Sequence, residues 1–169
     1  MDFIYSTSRM NIFEISSDIS NSELSSLLSR VPKLLSSAVV EGLPPYFHGI
    51  KTQPDAKVWL EHMMLESSLF LVKHDEKDVI IGFIFIFSDD DCDAHIGYLL
   101  AKEYWGMGLA MEMLQGFIDN ATKNEQWVKF IAGVDLHNDA SSKLLLKLGF
   151  EKQLPSDGQV VFYEYLLSD

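Results

Sequence analysis

Two glycines separated by one residue form the part of this chain that is best suited to bind a ligand. Gly106 and Gly108 flank Met107, after a segment in which apolar residues alternate and before one in which they recur at helical spacing. A strand that leads through a glycine turn into a helix gathers free backbone N–H groups at the helix N-terminus, where they can hold a phosphate. A dinucleotide-binding turn would need a third glycine at Met111, and a P-loop would need a Gly-Lys-Ser/Thr ending. The turn therefore indicates an anion site of another kind, or a tight turn without a ligand.

Side chains that can exchange protons near neutral pH lie at the ends of two predicted strands beside this turn. His95 begins the predicted strand 95–100, and an imidazole can act as a general base directly or through water. Asp135 and His137 follow the predicted strand 127–134 and are alternative bases. An ordinary packed or solvent-facing role for His95 fits the sequence equally well.

Composition narrows the class of protein. The 169 residues, 47% apolar and 22% charged, predict a single globular domain over residues 1–169. A formal net charge of −12 disfavours a general nucleic-acid binder and is compatible with a cationic substrate such as an amine. The acidic turn 88–93 lacks the ligand spacing of an EF-hand, so no metal site is predicted.

The same sequence predicts a cytoplasmic protein that does not enter a membrane. The single cysteine, Cys92, cannot form an internal disulfide, which favours a reducing compartment. The N-terminus lacks the basic start and apolar run of a secretory signal. The longest apolar segment, residues 79–87, is far shorter than the roughly 20 residues of a membrane helix.

The elements that must position these residues alternate between strands and helices. The 52–66 segment predicts a helix with Thr52 as its N-cap, and Gly149 is placed to end a later helix. The residues of the 52–66 helix that are predicted to face inward are Val58, Trp59, Met63 and Leu65. Strands are predicted at residues 9–15, 68–73, 79–87, 95–100 and 127–134, and from residue 150 onward including 160–167. Helices are predicted at residues 52–66, 109–123 and 138–148. One or two short helices are also predicted from residues 18–28, with an interruption at residues 31–32. This order is typical of one α/β layer with helices on its faces.

Two motifs together carry a resemblance to a known family. The pattern IGYLL…YWGMGLAMEML is followed by N-x-x-S…KLGF, beginning at Asn138, and the pair spans residues 93–151. The combination resembles the GCN5-related N-acetyltransferase (GNAT) superfamily, nearest its branch of ribosomal-protein N-terminal (alanine/serine) acetyltransferases. This resemblance implies an α/β fold with a mixed, mostly antiparallel sheet of about six to seven strands, helices on both faces, and a splayed strand pair that holds acetyl-CoA.

The resemblance also implies a binding site for the cofactor. The family's Arg/Gln-x-x-Gly-x-Gly/Ala loop falls on residues 105–110, whose backbone N–H groups would hold the pyrophosphate, although Trp105 stands where Arg or Gln is usual. Asn138 corresponds to the residue that bonds the pantetheine arm, and it is equally suited to be a plain helix cap. The residues so assigned to acetyl-CoA binding are Leu99, Leu100, Gly106, Met107, Gly108, Leu109, Ala110, Asn138 and Ser141.

Three residues are implied to be catalytic. The backbone N–H of Leu99 corresponds to the donor that stabilises the oxyanion, and His95 stands where many relatives carry a basic Glu. Many relatives also place a Tyr four residues before the helix-ending glycine, to protonate the departing thiolate. Here that position is Leu145, and Ser141 is the substitute that the ribosomal branch suggests, although a hydrogen bond within the first helical turn would explain Ser141 equally well.

The implied activity is transfer of an acetyl group from acetyl-CoA to a primary amine by direct attack in a ternary complex. The amine would be a protein N-terminal α-amine or a small molecule, with substrate loops at residues 40–50 and 154–160, and the enzyme would be a monomer or homodimer. The absence of the usual Tyr keeps open a catalytically inactive acyl-CoA-binding module. A structural domain with an empty turn is the third alternative.

Overall fold

The computed structural model describes residues 1–88, 92–154 and 158–167. Its strands are β1 (Asp2–Ser6), β2 (Met10–Glu14), β3 (Ser68–His74), β4 (Val79–Ser88), β5 (Asp93–Leu100), β6 (Lys129–Asp135), β7 (Glu151–Lys152) and β8 (Val160–Leu166). Its α-helices are α1 (Asn21–Leu34), α2 (Ser37–Val40), α3 (Gln53–Glu66), α4 (Leu109–Asn124) and α5 (Asp139–Leu148), and short 3-10 helices occupy Pro45–Phe47 and Lys102–Tyr104.

The strands form one mixed sheet in the order β1-β2-β3-β4-β5-β6-β8-β7. Every neighbouring pair is antiparallel except β5 and β6, which run parallel. The mixed, mostly antiparallel sheet is thereby confirmed, with eight strands in the described residues because β1 and the two-residue β7 extend its edges.

Local signals set most helix ends. Thr52 and Asp55 form a capping box at the start of α3, as expected, and Gly149 ends α5 in the left-handed region at φ +99°. The expected interruption at residues 31–32 is wrong, because α1 continues through Pro32 to its last turn. Val31 and Leu34 are fully buried on either side, so packing of that turn offsets the roughly 3 kcal/mol that an internal proline costs.

Two residues of α3 were assigned to the wrong face. Val58 and Leu65 are 68% and 84% exposed, whereas Trp59 and Met63 are buried as predicted. The buried stripe follows the helical period, because Leu60 lies between Trp59 and Met63 on the same side of the helix.

Helices cover both faces of the sheet. Trp59 of α3 packs against Phe83 and Phe85 of β4, with ring centroids 5.4 and 6.2 Å apart. On the opposite face, Phe117 of α4 lies 5.0 Å from Phe70 and 5.7 Å from Phe130. No helix in the described parts of the chain is long and apolar enough to cross a membrane.

The parallel strands β5 and β6 separate soon after they begin. Only Asp93, Ala94 and His95 of β5 pair with β6, although β5 continues to Leu100. The far end of β5 instead presses against β4, where a Cβ on Gly82 would lie 2.3 Å from the carbonyl oxygen of Leu99. A side chain at residue 82 would therefore push β4 and β5 apart. Beyond His95, β5 no longer pairs with β6, and a gap opens between these two strands.

Candidate active site

The glycine turn ends in a helix whose first N–H groups have no capping side chain. Gly106 and Gly108 both adopt left-handed backbone conformations, at φ +73° and +74°, which a residue with a Cβ rarely adopts. The first intrahelical bond of α4 runs from the Glu112 N–H to the Gly108 carbonyl, so the N–H groups before it lack helical partners. Within the described residues, side chains cap α1, α3 and α5, whereas α4 and the four-residue α2 have no side-chain cap. Such a terminus can accept an anionic group.

Trp105 fixes this loop to the end of β5. Its indole Nε1 donates a hydrogen bond to the carbonyl oxygen of Leu100 at 2.8 Å, while 48% of the residue stays exposed. The Leu100 carbonyl points away from β4, because the next residue, Ala101, donates its N–H to Ile81 of β4, and on that side β6 has already diverged. Trp105 therefore serves as a tether between loop and strand and brings no positive charge to the loop.

Strand alternation argues against the predicted oxyanion role of the Leu99 N–H. The N–H of Ala101 donates to the carbonyl of Ile81 at 2.8 Å, and in an antiparallel ladder residues two apart direct their backbone groups to the same neighbour. Leu99, opposite Phe83, therefore directs its N–H toward β4. The N–H groups of Tyr98 and Leu100 face the gap instead. A shift of one residue exchanges the two edges of a strand, and sequence alone does not fix that register.

His95 lies at the last paired position before the gap. It is exposed and stands opposite Phe87 on β4 and Ile131 on β6. Gly97 follows on the same face, where an added Cβ would already contact the Phe85 ring at 3.6 Å. The structure thus gives His95 access to solvent at the narrow end of the gap, on the face that α3 covers farther along.

The same face carries an excess of carboxylates near His95. Lys129 Nζ lies 3.2 Å from Asp93 Oδ2 and 3.4 Å from Glu164 Oε1. The hydrogen bond between Lys129 and Asp93, with those to Glu164, raises the pKa of Lys129. Two carboxylates surround this one cation, so the local charge of the cluster is negative.

The alternative base Asp135 is engaged in the turn after β6. Its Oδ1 accepts a hydrogen bond from the backbone N–H of His137 at 2.9 Å, and its carbonyl accepts one from the Asn138 N–H at 2.9 Å. The side chain of Asp135 therefore shapes the entry to α5. His137 is exposed.

Asn138 and Ser141 meet at the start of α5. Asn138 Oδ1 accepts from the Ser141 N–H at 3.2 Å, so Asn138 caps the helix. Ser141 Oγ accepts a hydrogen bond from the Tyr98 hydroxyl at 3.2 Å. Tyr98 thereby links β5 to α5 beside the gap, on the face opposite His95.

Tyr98 is the polar residue that sequence reasoning missed. In the sequence it alternates with Ile96 and Leu100 as one of the apolar residues of the strand, although an –OH on such a strand needs a partner when buried. Burial raises the pKa of Tyr98, and the hydrogen bond to Ser141 lowers it by less. The phenol thus keeps its proton at neutral pH. Leu145, at the position where the resemblance implies a Tyr in many relatives, is 1% exposed and belongs to the core.

The structure describes all of the first predicted substrate loop, residues 40–50, but only part of the second, residues 154–160. In the 40–50 segment, Phe47 is buried against Trp59 and Phe85, whereas Tyr46 remains 41% exposed beside His62. Residues 155–157 of the other loop, and residues 89–91 of the acidic turn, lie outside the described residues. Among the residues that the structure describes, no group of three or more His, Cys, Asp or Glu residues is arranged to hold a metal ion.

The chain is similar to known proteins in sequence and in fold. A family model described as an acetyltransferase (GNAT) domain matches residues 33–151. An N-acetyltransferase of Bacillus licheniformis, p20, is 33% identical over 94 residues, which cover 56% of this chain and 52% of that protein. The match thus spans about half the length of this relative.

Two solved structures share the fold over nearly the whole chain. The RimL ribosomal L7/L12 α-N-protein acetyltransferase, in complex with coenzyme A, superposes with a TM-score of 0.78 at 15% identity and 98% coverage of both chains. A spermidine N-acetyltransferase SpeG chimera, from Vibrio cholerae and hSSAT, gives 0.70 at 16% identity, with 95% of this chain and 96% of that one covered.

Proposed function

The chain belongs to the GNAT acetyltransferase family, and on that premise we propose that it is an acetyl-CoA-dependent N-acetyltransferase acting on a primary amine. The observation that carries this proposal is the gap between β5 and β6, which opens beside the uncapped N-terminus of α4. A long ligand with an anionic centre fits such an arrangement. The acetyl group is transferred directly to the amine within a ternary complex.

The residues present fit acetyl-CoA. The N–H groups that follow Gly106, up to Ala110, lack side-chain caps and would hold the pyrophosphate with the positive end of α4. No atom lies within 4 Å of a Cβ placed on Gly106, so the loop is open to a ligand on that side. The unpaired N–H groups of Tyr98 and Leu100 would accompany the pantetheine arm along the gap.

Amine activation needs a proton acceptor. An alkyl amine has a pKa of about 10.4 and is mostly protonated at neutral pH, so it must lose a proton before it attacks the thioester. We assign this step to His95, directly or through water, because it is exposed at the narrow end of the gap. The Tyr98 N–H is the oxyanion donor in this scheme, in place of the Leu99 N–H.

The departing thiolate needs a proton donor, and Ser141 is our candidate. Because Ser141 Oγ accepts from Tyr98, its own hydrogen is directed away from the phenol and is free to point toward the gap. Burial raises the pKa of Tyr98, so Tyr98 keeps its own proton and positions Ser141. Ser141 passes its proton to the thiolate as it takes one from solvent water.

The acceptor amine is a protein N-terminal α-amine or a small-molecule amine. The negative cluster of Asp93, Lys129 and Glu164 and the net charge of −12 favour the approach of a cation. RimL, with the same fold, is a protein α-N-acetyltransferase, and the SpeG chimera is a spermidine N-acetyltransferase. We propose a monomer or homodimer that does not bind nucleic acid.

A second candidate is an acyl-CoA-binding module without catalysis. The buried Leu145 at the usual acid position favours it. The two candidates are separated by incubating the protein with acetyl-CoA and a panel of peptides beginning with Ala or Ser, polyamines and other small amines. Because Cys92 is exposed and would react with thiol reagents, the assay follows the mass of the acetylated amine. Acetylation of one class identifies an enzyme, whereas CoA binding with no acetylated product on any amine supports the module.

A further inference from the structure

The turn between β1 and β2 contacts the glycine loop, although 98 residues separate the two in sequence. Arg9 Nη1 donates to the carbonyl oxygen of Met107 at 2.9 Å. The guanidinium also binds Glu112 Oε2 through Nε and Nη2, each at 2.7 Å, and the Arg9 N–H donates to Glu112 Oε1 at 2.9 Å. Glu112 lies in the first turn of α4. One arginine thus links the loop and the helix that begins after it.

This contact fixes the orientation of one peptide group in the loop. A trans peptide directs its C=O and N–H in opposite directions, so holding the Met107 carbonyl toward Arg9 directs the Gly108 N–H away from it. Glycine adopts left- and right-handed backbone conformations at similar cost, so this peptide would otherwise reorient easily. Gly108 is held at φ +74°.

The arginine is itself held by an ionised partner. Burial raises the pKa of Glu112, but hydrogen bonds from the 7–9 turn and the charge of Arg9 outweigh it and leave the pKa below its usual value. The Glu112 side chain is 19% exposed and that of Arg9 43%. Two guanidinium donors and the backbone N–H of Arg9 bind the Glu112 carboxylate. The negative charge of Glu112 thereby neutralises the positive charge of Arg9.

Resting on the proposed function, we propose that Arg9 is a positioning residue for the cofactor loop. It holds the Met107–Gly108 peptide so that the Gly108 N–H is presented to the pyrophosphate of acetyl-CoA, and Glu112 holds Arg9 in place. The N-terminal hairpin thereby completes a phosphate site in which Trp105 supplies no cation.

The test uses the full chain with Arg9→Ala, Arg9→Lys and Glu112→Gln. Lys73→Gln is the matched control, because it also removes one positive charge and one ion pair, the 3.2 Å contact with Asp78, from another hairpin. Calorimetry gives the CoA dissociation constant, and hydrogen exchange of the free protein follows peptides covering residues 106–110. S-acetylpantetheine, which lacks the pyrophosphate, serves as a second acetyl donor.

We expect Arg9→Ala to raise the CoA dissociation constant about tenfold or more, as for loss of a hydrogen bond to a charged group. Arg9→Lys gives an intermediate loss, Glu112→Gln also weakens binding, and exchange at 106–110 accelerates in each. The rate with S-acetylpantetheine as acetyl donor stays at the wild-type value in these variants. Lys73→Gln changes neither the CoA dissociation constant nor the rate with S-acetylpantetheine.

Three results would overturn the proposal. The first is CoA affinity of Arg9→Ala within about twofold of wild type, below the loss expected for one such hydrogen bond. The second is tighter binding by Glu112→Gln, which would mean that Arg9 contacts phosphate directly and competes with the carboxylate. The third is an equal loss with S-acetylpantetheine, which would reveal a general fold defect. Failure of the wild type to bind CoA would instead refute the proposed function, and hydrogen exchange of the free variants would still decide whether Arg9 holds the loop.

Discussion

Removing the Tyr98 hydroxyl tests whether Ser141 is the proton donor and whether Tyr98 acts through it. The hydroxyls are 3.2 Å apart, which is long for an O–H···O hydrogen bond, and a neutral hydrogen bond contributes up to about 1 kcal/mol. Tyr98→Phe should therefore lower kcat about fivefold with little change in the KM for acetyl-CoA. Ser141→Ala removes the donor itself and should lower kcat by about 10²-fold or more.

The double variant supplies the decisive comparison. If Tyr98 works only by orienting Ser141, Tyr98→Phe has no further effect on kcat in the Ser141→Ala background. For the wild type, the two single variants and the double variant, kcat is measured as the steady-state rate of acetylated-product formation at saturating acetyl-CoA. Equal fivefold losses in both backgrounds would refute the positioning role, and an unchanged kcat in Ser141→Ala would remove Ser141 as the acid. Thermal unfolding of each variant controls for loss of structure.

Three further substitutions test the proton acceptor His95, the pyrophosphate site at the glycine turn, and the close approach of β4 to β5. His95→Ala should lower turnover by about 10²-fold, mainly below the pKa of the amine, and an unchanged pH–rate profile would exclude His95 as the base. Gly108→Val places a β-branched residue at φ +74° and should weaken CoA binding about tenfold or more by calorimetry, whereas Gly42→Ala, with open space around it, should not. Wild-type CoA affinity in Gly108→Val would show that the pyrophosphate binds elsewhere. Gly82→Ala places a methyl group 2.3 Å from the Leu99 carbonyl oxygen, so β4 and β5 must move apart. The free energy of unfolding should fall by roughly 1–3 kcal/mol, and each kcal/mol lowers the melting temperature by about 2–4 °C. A melting temperature equal to that of Gly42→Ala would contradict the close strand approach.

Local chemistry made parts of this molecule predictable from sequence. Thr52 and Gly149 carry their structural meaning in the residue type, because a capping hydroxyl and a left-handed helix end depend on few neighbours. The glycine turn before α4 was predicted for the same reason. Val58 and Leu65 were misassigned because hydrophobicity does not say which apolar residues of a helix meet the sheet.

The parts that sequence did not provide depend on long-range placement. The choice between the N–H of Leu99 and that of Tyr98 depends on the register of β5 against β4, which follows only from the assembled ladder. The contact between Arg9 and Met107 joins residues 98 positions apart, and no local pattern marks either partner. The hydrogen bond from Tyr98 to Ser141 likewise needs the packing of α5 beside the gap.

Amide hydrogen exchange with and without acetyl-CoA tests most directly whether the gap and the glycine turn form one cofactor site. We expect acetyl-CoA to slow exchange of the N–H groups of Tyr98 and Leu100 together with those of residues 108–110. The Leu99 N–H, already directed to β4, should change little. Protection confined to other parts of the sheet, or protection of Leu99 without Tyr98 and Leu100, would contradict it.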